Sequence, residues 1–187
     1  MTGSAAENIT EIRLGGIGGQ GIALAGSLLG RAATIHDGKE AVFTQTHGPE
    51  ARGGASRADV IISAGPVDYP FVIQPDILCV LFQEAYERFR PKLKPGGLLI
   101  VDADLVSLHA DDAAAVRLPA TRKSAELGTK LAANIVLLGC LIAITNVVSR
   151  RAMEEAIRAK VSSKHLQLDL QALQAGFEFG AGAQPDD

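Results

Sequence analysis

The chain has 187 residues, 47% hydrophobic, 21% charged and 4% aromatic, with no tryptophan and a formal charge of −3. That composition excludes an extensively disordered chain, and the lack of a basic excess argues against a nucleic-acid backbone as partner. Its two cysteines, Cys79 and Cys140, lie far apart in apolar stretches, which excludes a disulfide framework, a zinc site built on Cys pairs and an iron–sulfur cluster held by this chain alone.

Met1–Asn8 has neither the cationic flank nor the apolar stretch of a secretory signal, so a cytoplasmic protein with reduced thiols is expected. Thr10–Leu14 alternates Ile12 and Leu14 with Glu11 and Arg13, a strand with one face less deeply covered than the other. It ends in glycines, and Gly21–Ile35 follows with helical spacing up to the turn at His36–Gly38. Ala41–Thr44 reads as a second strand, Gln45–Gly54 as a polar glycine-rich loop, and Ser56–Ser63 as a third strand. Ile77–Phe82 is a run of six apolar residues, the clearest strand. Glu84–Arg90 makes a short helix, Lys94-Pro95-Gly96-Gly97 turns the chain, and Leu98–Val101 forms the next strand, with Ala115–Leu118 as an edge strand. Ser124–Val148, Arg151–Lys160 and Leu166–Gly176 read as helices.

Strands separated by helices, the later ones apolar throughout, predict a mostly parallel sheet covered on both faces. The expected fold is therefore a three-layer α/β domain of Rossmann-like type with C-terminal helices. Residues 10–179 form one domain in this reading, with 1–9 and 180–187 as tails. Leu131–Val148 carries no charge and approaches the ~20 apolar residues of a membrane span. Asn134, Thr145, Asn146 and its Ala and Gly content predict instead a buried soluble helix. A helix apolar on every side needs cover on every side, part of which a second subunit could supply.

Gly16-Ile17-Gly18-Gly19-Gln20-Gly21 fits the G-x-G-x-x-G pattern, directly after a strand and opening a helix. Glycines there allow a tight turn and close approach of a ligand, and the N–H groups of the helix start favour a phosphate or carboxylate. A bare packing turn would need the same glycines. A nicotinamide dinucleotide calls for an acidic residue at the end of the second strand to hold a ribose. Phe43-Thr44-Gln45-Thr46 has none; Asp37 precedes that strand and Glu40 starts it.

The loop Thr44–Arg57 should lie at the carboxyl edge of the sheet beside the glycine loop. Its Arg52 and Arg57, with Glu50 and His47, either present a guanidinium to an anion or form a solvated surface loop. Asp102 and Asp104 face the same edge, to touch a ribose or to cap the next segment. Lys123 and Lys130 flank the late helix, available to a phosphate or a partner.

Gly15-Gly16-Ile17-Gly18-Gly19-Gln20-Gly21 together with His47-Gly48-Pro49-Glu50-Ala51-Arg52-Gly53-Gly54 resembles the gamma subunit, or domain III, of 2-oxoacid:ferredoxin oxidoreductases. The strand Ser56–Ser63 and Asn134 with Gly139 support the likeness, which covers about Ile12 to Val148; a Tyr is common where His47 stands. The resemblance implies an accessory subunit of a complex that oxidatively decarboxylates a 2-oxoacid, usually to an acyl-coenzyme A, and passes electrons to ferredoxin. It implies thiamine diphosphate and [4Fe-4S] clusters on alpha, beta and ferredoxin-like partner subunits. This chain would close over the active site and help bind coenzyme A through Gly16, Gly18, Gly19, Gln20, Gly21, Glu50 and Arg52, with no catalytic residue and no metal of its own. Pyruvate, 2-oxoglutarate, branched-chain and aryl oxoacids are all substrates within such a family. A non-catalytic nucleotide-binding regulatory module and an NAD(P)-dependent dehydrogenase are the alternative readings.

Overall fold

In the computed structural model, which describes residues 9–46 and 54–183, six strands form one mixed sheet in the order β2-β3-β1-β4-β5-β6. β1 (Thr10–Ile17), β4 (Ile77–Val80), β5 (Leu98–Asp102) and β6 (Val116–Leu118) run parallel as neighbours. β3 (Ala55–Ser63) is antiparallel to β1, and β2 (Glu40–Thr46) is antiparallel to β3. Among the described strands only β3 is reversed, so the expected α/β domain with a mostly parallel sheet is the fold adopted. The reversal follows from chain length. Residues 47–54 are too few for the crossover of a dozen or more residues that parallel neighbours require.

One face of the sheet carries Ile12, Leu14, Val60, Cys79 and Ile100 into a core shared with four helices. These are α1 (Ile22–Arg31), α4 (Ala133–Thr145), α5 (Arg150–Lys160) and α6 (Ser163–Gly182). α1 widens into a π-helical turn at Ala32–His36. The other face packs Leu78, Val80, Leu99 and Val101 against Ala85, Tyr86 and Phe89 of α2 (Gln83–Phe89) and against Val106. The short α3 (Ala120–Glu126) precedes α4, separated by a turn in which Gly128 takes φ +92°. The single helix anticipated over Ser124–Val148 is thus two.

β1 lies in the interior of the sheet with both faces covered, contrary to what its alternation suggested. Arg13 is 1% exposed because Asp59, its register partner on β3, neutralises it. This chain itself supplies most of the cover that α4 needs. Every residue from Ala133 to Ala143 is buried within this chain, chiefly by α6. A Cβ on Gly176 would lie 1.9 Å from the Val136 carbonyl oxygen, and one on Gly139 2.2 Å from that of Leu173. Side chains would hold the two backbones apart. The same packing explains why α6 runs on to Gly182 where a loose tail was anticipated, since Gly180 rests on the Cys140 backbone. Among the described residues no helix is long and apolar enough to cross a membrane.

Candidate functional site at the carboxyl edge of the sheet

β1 connects through α1 to β2 on one side of the sheet, while its parallel neighbour β4 opens the other half. The carboxyl ends of β1 and β4 therefore flank a topological switch point, where open α/β sheets form a ligand crevice. The glycine loop lies on this crevice, and its glycines have different reasons to be there. Gly16 is a packing glycine, because a Cβ would fall 2.5 Å from Gln20 Oε1 and 2.8 Å from the Ile22 side chain. Gly19 and Gly21 have φ of +92° and +69°, the left-handed region that glycine enters without cost. Gly18 has no such backbone requirement. A Cβ on either Gly18 or Gly19 meets nothing within 4 Å. These two residues leave an open mouth, and at Gly18 neither backbone angle nor packing calls for a glycine.

Gln20 turns inward. Its Oε1 accepts from Ile17 N at 2.8 Å and its Nε2 donates to the Leu81 carbonyl at 3.0 Å, across the gap between β1 and β4. The loop is closed further by Gln20 N donating to Ile17 O at 3.2 Å. Gly21 is the N-cap of α1, and no side chain caps that helix. The N–H groups of its first turn have no intrahelical acceptor, and they carry the positive end of the helix dipole. From the far side Asn134, 2% exposed in the first turn of α4, donates through Nδ2 to the Gly21 carbonyl at 3.0 Å. This contact between residues 113 apart has no local signal in the sequence.

The base of the second motif sits at the same edge. Thr46 pairs with Arg57, and Ile17 pairs with Ala55, so the hairpin from β2 to β3 springs from beside the glycine loop. Glu50, Arg52 and His47 themselves lie outside the described residues. Arg57, partly exposed, is already paired, 3.4 Å from Asp59 and donating to Thr46 Oγ1 at 3.1 Å.

The carboxylates weighed as ribose ligands are occupied elsewhere. Asp102 is fully buried and accepts from Thr121 N and Oγ1 at 2.9 and 2.6 Å and from Asp104 N at 2.9 Å. It caps α3, and Asp104 pairs with Arg122. Asp37 accepts from Ser149 N and Oγ at 2.6 and 2.7 Å at the start of α5, on the opposite edge. Because β3 stands between β1 and β2, the end of β2 is two strand spacings from the glycine loop, roughly 10 Å. An adenosine ribose cannot be held here as in a dinucleotide-binding fold.

Nor do the thiols offer a nucleophile, since the thiolate is the reactive form. Burial pushes both up, Cys140 to about 12 and Cys79 further. A cavity of about 540 Å³ opens at the amino edge of β5, but its cations are already paired, Arg90 with Asp112 and Lys94 with Glu11 and Asp76. Lys123 lies against the Phe179 ring. Among the described residues no three His, Cys, Asp or Glu side chains gather to hold a metal ion.

Residues 11–179 match the family model of pyruvate ferredoxin/flavodoxin oxidoreductase. The 2-oxoglutarate synthase subunit KorC of Methanocaldococcus jannaschii is 49% identical over 172 residues, covering 90% of this chain and 92% of that protein. The solved keto/oxoacid ferredoxin oxidoreductase gamma subunit of Geobacter sulfurreducens superposes with TM-score 0.83 at 42% identity, covering 92% of this chain and 99% of that one. The 2-oxoglutarate:ferredoxin oxidoreductase of Magnetococcus marinus, solved with 2-oxoglutarate, coenzyme A and succinyl-CoA bound, superposes with TM-score 0.84 at 25% identity. It covers 96% of this chain and 32% of that longer one. The family model and these relatives place this chain among the gamma subunits of the 2-oxoacid:ferredoxin oxidoreductases, the family of which it is a member.

Proposed function

We propose that this chain is the gamma subunit of a complex that oxidatively decarboxylates 2-oxoglutarate to succinyl-coenzyme A, and that its glycine loop holds the pyrophosphate of coenzyme A. The observation that carries the reading is the open mouth at Gly18 and Gly19, set over uncapped N–H groups at the switch point. Two phosphates fit such a cradle, because backbone donors approach closely where no Cβ intervenes. The named relatives support 2-oxoglutarate as the oxoacid and coenzyme A as the acceptor.

In this reading Gly16 and Gln20 shape the loop, while Gly18, Gly19, Gly21 and Ile22 offer N–H groups to the ligand. Arg52 and Glu50 belong to the same anion site in this reading, with Arg52 supplying a guanidinium to a phosphate. Thiamine diphosphate and the [4Fe-4S] clusters reside on alpha, beta and ferredoxin-like partners. Carbanion chemistry and electron transfer belong to those groups. This chain contributes binding, orientation and exclusion of water over the site, within a cytoplasmic complex. Its core domain is residues 10–179.

The test is the assembled complex, purified under anaerobic conditions. It should reduce a low-potential dye with 2-oxoglutarate only when coenzyme A is present, and release succinyl-coenzyme A. The isolated chain should show no turnover. Dye reduction independent of coenzyme A, with free succinate as product, would overturn the coenzyme A role. Arg52→Lys should raise the KM for coenzyme A, since an ammonium does not reproduce the planar fork of a guanidinium.

A further inference from the structure

Gly21 carbonyl carries two donors, Ala25 N of α1 at 3.0 Å and Asn134 Nδ2 at 3.0 Å. The second is not required to form the helix. Asn134 is at the same time held by its own helix, because its Oδ1 accepts from Ile135 N at 3.0 Å. Its amide is therefore fixed at both ends, and its side chain is shielded from water. The contact is also tight, with the place of a Gly21 Cβ only 2.5 Å from Asn134 Nδ2, so no other residue at position 21 would let the amide in.

A peptide unit is planar, and its C=O and N–H point in opposite directions. The carbonyl of Gly21 and the N–H of Ile22 belong to one such unit. Holding the carbonyl toward α4 turns the Ile22 N–H away from that helix. A donor on the carbonyl also polarises the unit, which strengthens the N–H on its other side.

We propose that Asn134 is a positioning residue for the anion-binding mouth: it clamps the Gly21–Ile22 peptide so that Ile22 N–H faces the pyrophosphate of coenzyme A. This inference rests on the reading of the glycine loop as the coenzyme A site. It adds that α4, an otherwise apolar helix, serves that site from 113 residues away.

The test uses the assembled complex carrying Asn134→Ala, Asn134→Asp or Gly18→Val, each in a separate preparation. The readouts are kcat, the KM for coenzyme A, the KM for 2-oxoglutarate, inhibition by inorganic pyrophosphate and the melting temperature. Asn134→Ala should raise the KM for coenzyme A about tenfold and weaken pyrophosphate inhibition in parallel, on the scale of one hydrogen bond to a charged group. Its kcat at saturating coenzyme A and its KM for 2-oxoglutarate should stay within about twofold. Asn134→Asp keeps the volume and adds an acid to the first turn of α4, which that helix dipole favours. It sets a carboxyl oxygen against the Gly21 carbonyl, so the KM for coenzyme A should rise further.

An unchanged KM for coenzyme A in both Asn134 variants, alongside a raised one in Gly18→Val, overturns the clamp and leaves Asn134 as a tie between helices. An unchanged KM in all three overturns the coenzyme A reading of the loop itself.

Discussion

Arg13 and Asp59 stand opposite one another in the register of β1 and β3, joined by hydrogen bonds of 2.7 and 2.9 Å, with both side chains buried. Arg13 also donates to the Val72 carbonyl at 2.6 Å and lies over the Phe89 ring at 5.6 Å. One guanidinium thereby ties the reversed strand, α2 and the segment before β4 to the centre of the sheet. Removing one member of a buried pair leaves the other charge unsolvated and costs about 3–5 kcal/mol. Asp59→Asn should lower the unfolding free energy of the chain, measured by urea titration, by that scale. Arg57→Ala breaks a partly exposed contact to the same carboxylate and should cost less than about 1 kcal/mol. Equal losses in the two variants would contradict the assignment of Arg13 as the buried tie.

The same pair marks where the sequence stops being legible. Continuous apolar runs such as Ile77–Val80 mark buried strands whatever surrounds them, so the order of elements and the glycine loop were legible. The direction of β3 was legible too in principle, because residues 47–54 cannot make a parallel crossover. Arg13 was misleading because a charged residue in a strand pattern usually marks a solvent face, and its partner lies 46 residues on. Gly176 and Gly180 stand one helical turn apart, a spacing that signals close helix approach as readily as a chain end. Asn134 gave no local sign of its contact with Gly21, since the two meet only once α4 and α1 are packed.

Close approach of α4 and α6 leaves no room for a side chain at Gly176 or Gly139. A methyl group on Gly176 or Gly139 would collide with backbone carbonyls of the opposite helix, which cannot rotate away as a side chain can. Overpacking of a core costs about 1–3 kcal/mol and more where the backbone must shift. Gly176→Ala should therefore destabilise the chain by about 3 kcal/mol or more by thermal or urea unfolding. Gly182→Ala, on the same helix with open space around it, should be neutral within about 0.5 kcal/mol. A small loss in Gly176→Ala would mean that the helices are not in backbone contact.

On the other face of the sheet, Tyr86 hydroxyl donates to Asp112 at 2.5 Å, and Arg90 binds both carboxylate oxygens of Asp112 at 2.6 and 2.7 Å. These bonds pin the stretch between β5 and β6 onto α2. The Arg90 hydrogen bonds hold the Asp112 carboxyl below its usual range, with Tyr86 adding to them against the opposing effect of burial. Burial first, then the Asp112 hydrogen bond, raises the Tyr86 phenol. The signs set a window. A depressed carboxyl contributes stability above its unfolded value of 3.8 and loses it as pH falls through the lower folded value. A raised phenol contributes stability below its unfolded value of 10.0 and loses it as pH climbs through the higher folded value. Asp112→Asn should flatten the acid limb of the stability–pH profile and Tyr86→Phe the alkaline limb, both read from melting temperatures. Limbs unchanged in both variants would remove this cluster as their source.

Packing and the proposed coenzyme A contact can be told apart residue by residue along the glycine loop. At Gly21, φ of +69° and the Asn134 amide both oppose a side chain. Gly21→Ala should lower stability by about 1–2 kcal/mol, as left-handed strain at a non-glycine residue does, and should raise the KM for coenzyme A as well. At Gly18 the backbone is unstrained and the space is open, so Gly18→Ala should fold, assemble and melt like the parent. Its methyl group would nevertheless occupy the place that the proposed coenzyme A site gives to a phosphate oxygen. The KM for coenzyme A in the assembled complex should rise about tenfold or more for Ala and further for Val, while the KM for 2-oxoglutarate stays put. Stability and coenzyme A affinity thus separate at Gly18 and fall together at Gly21. A Gly18→Val complex that keeps the parental KM for coenzyme A would show that the mouth is bare turn and that the pyrophosphate binds elsewhere.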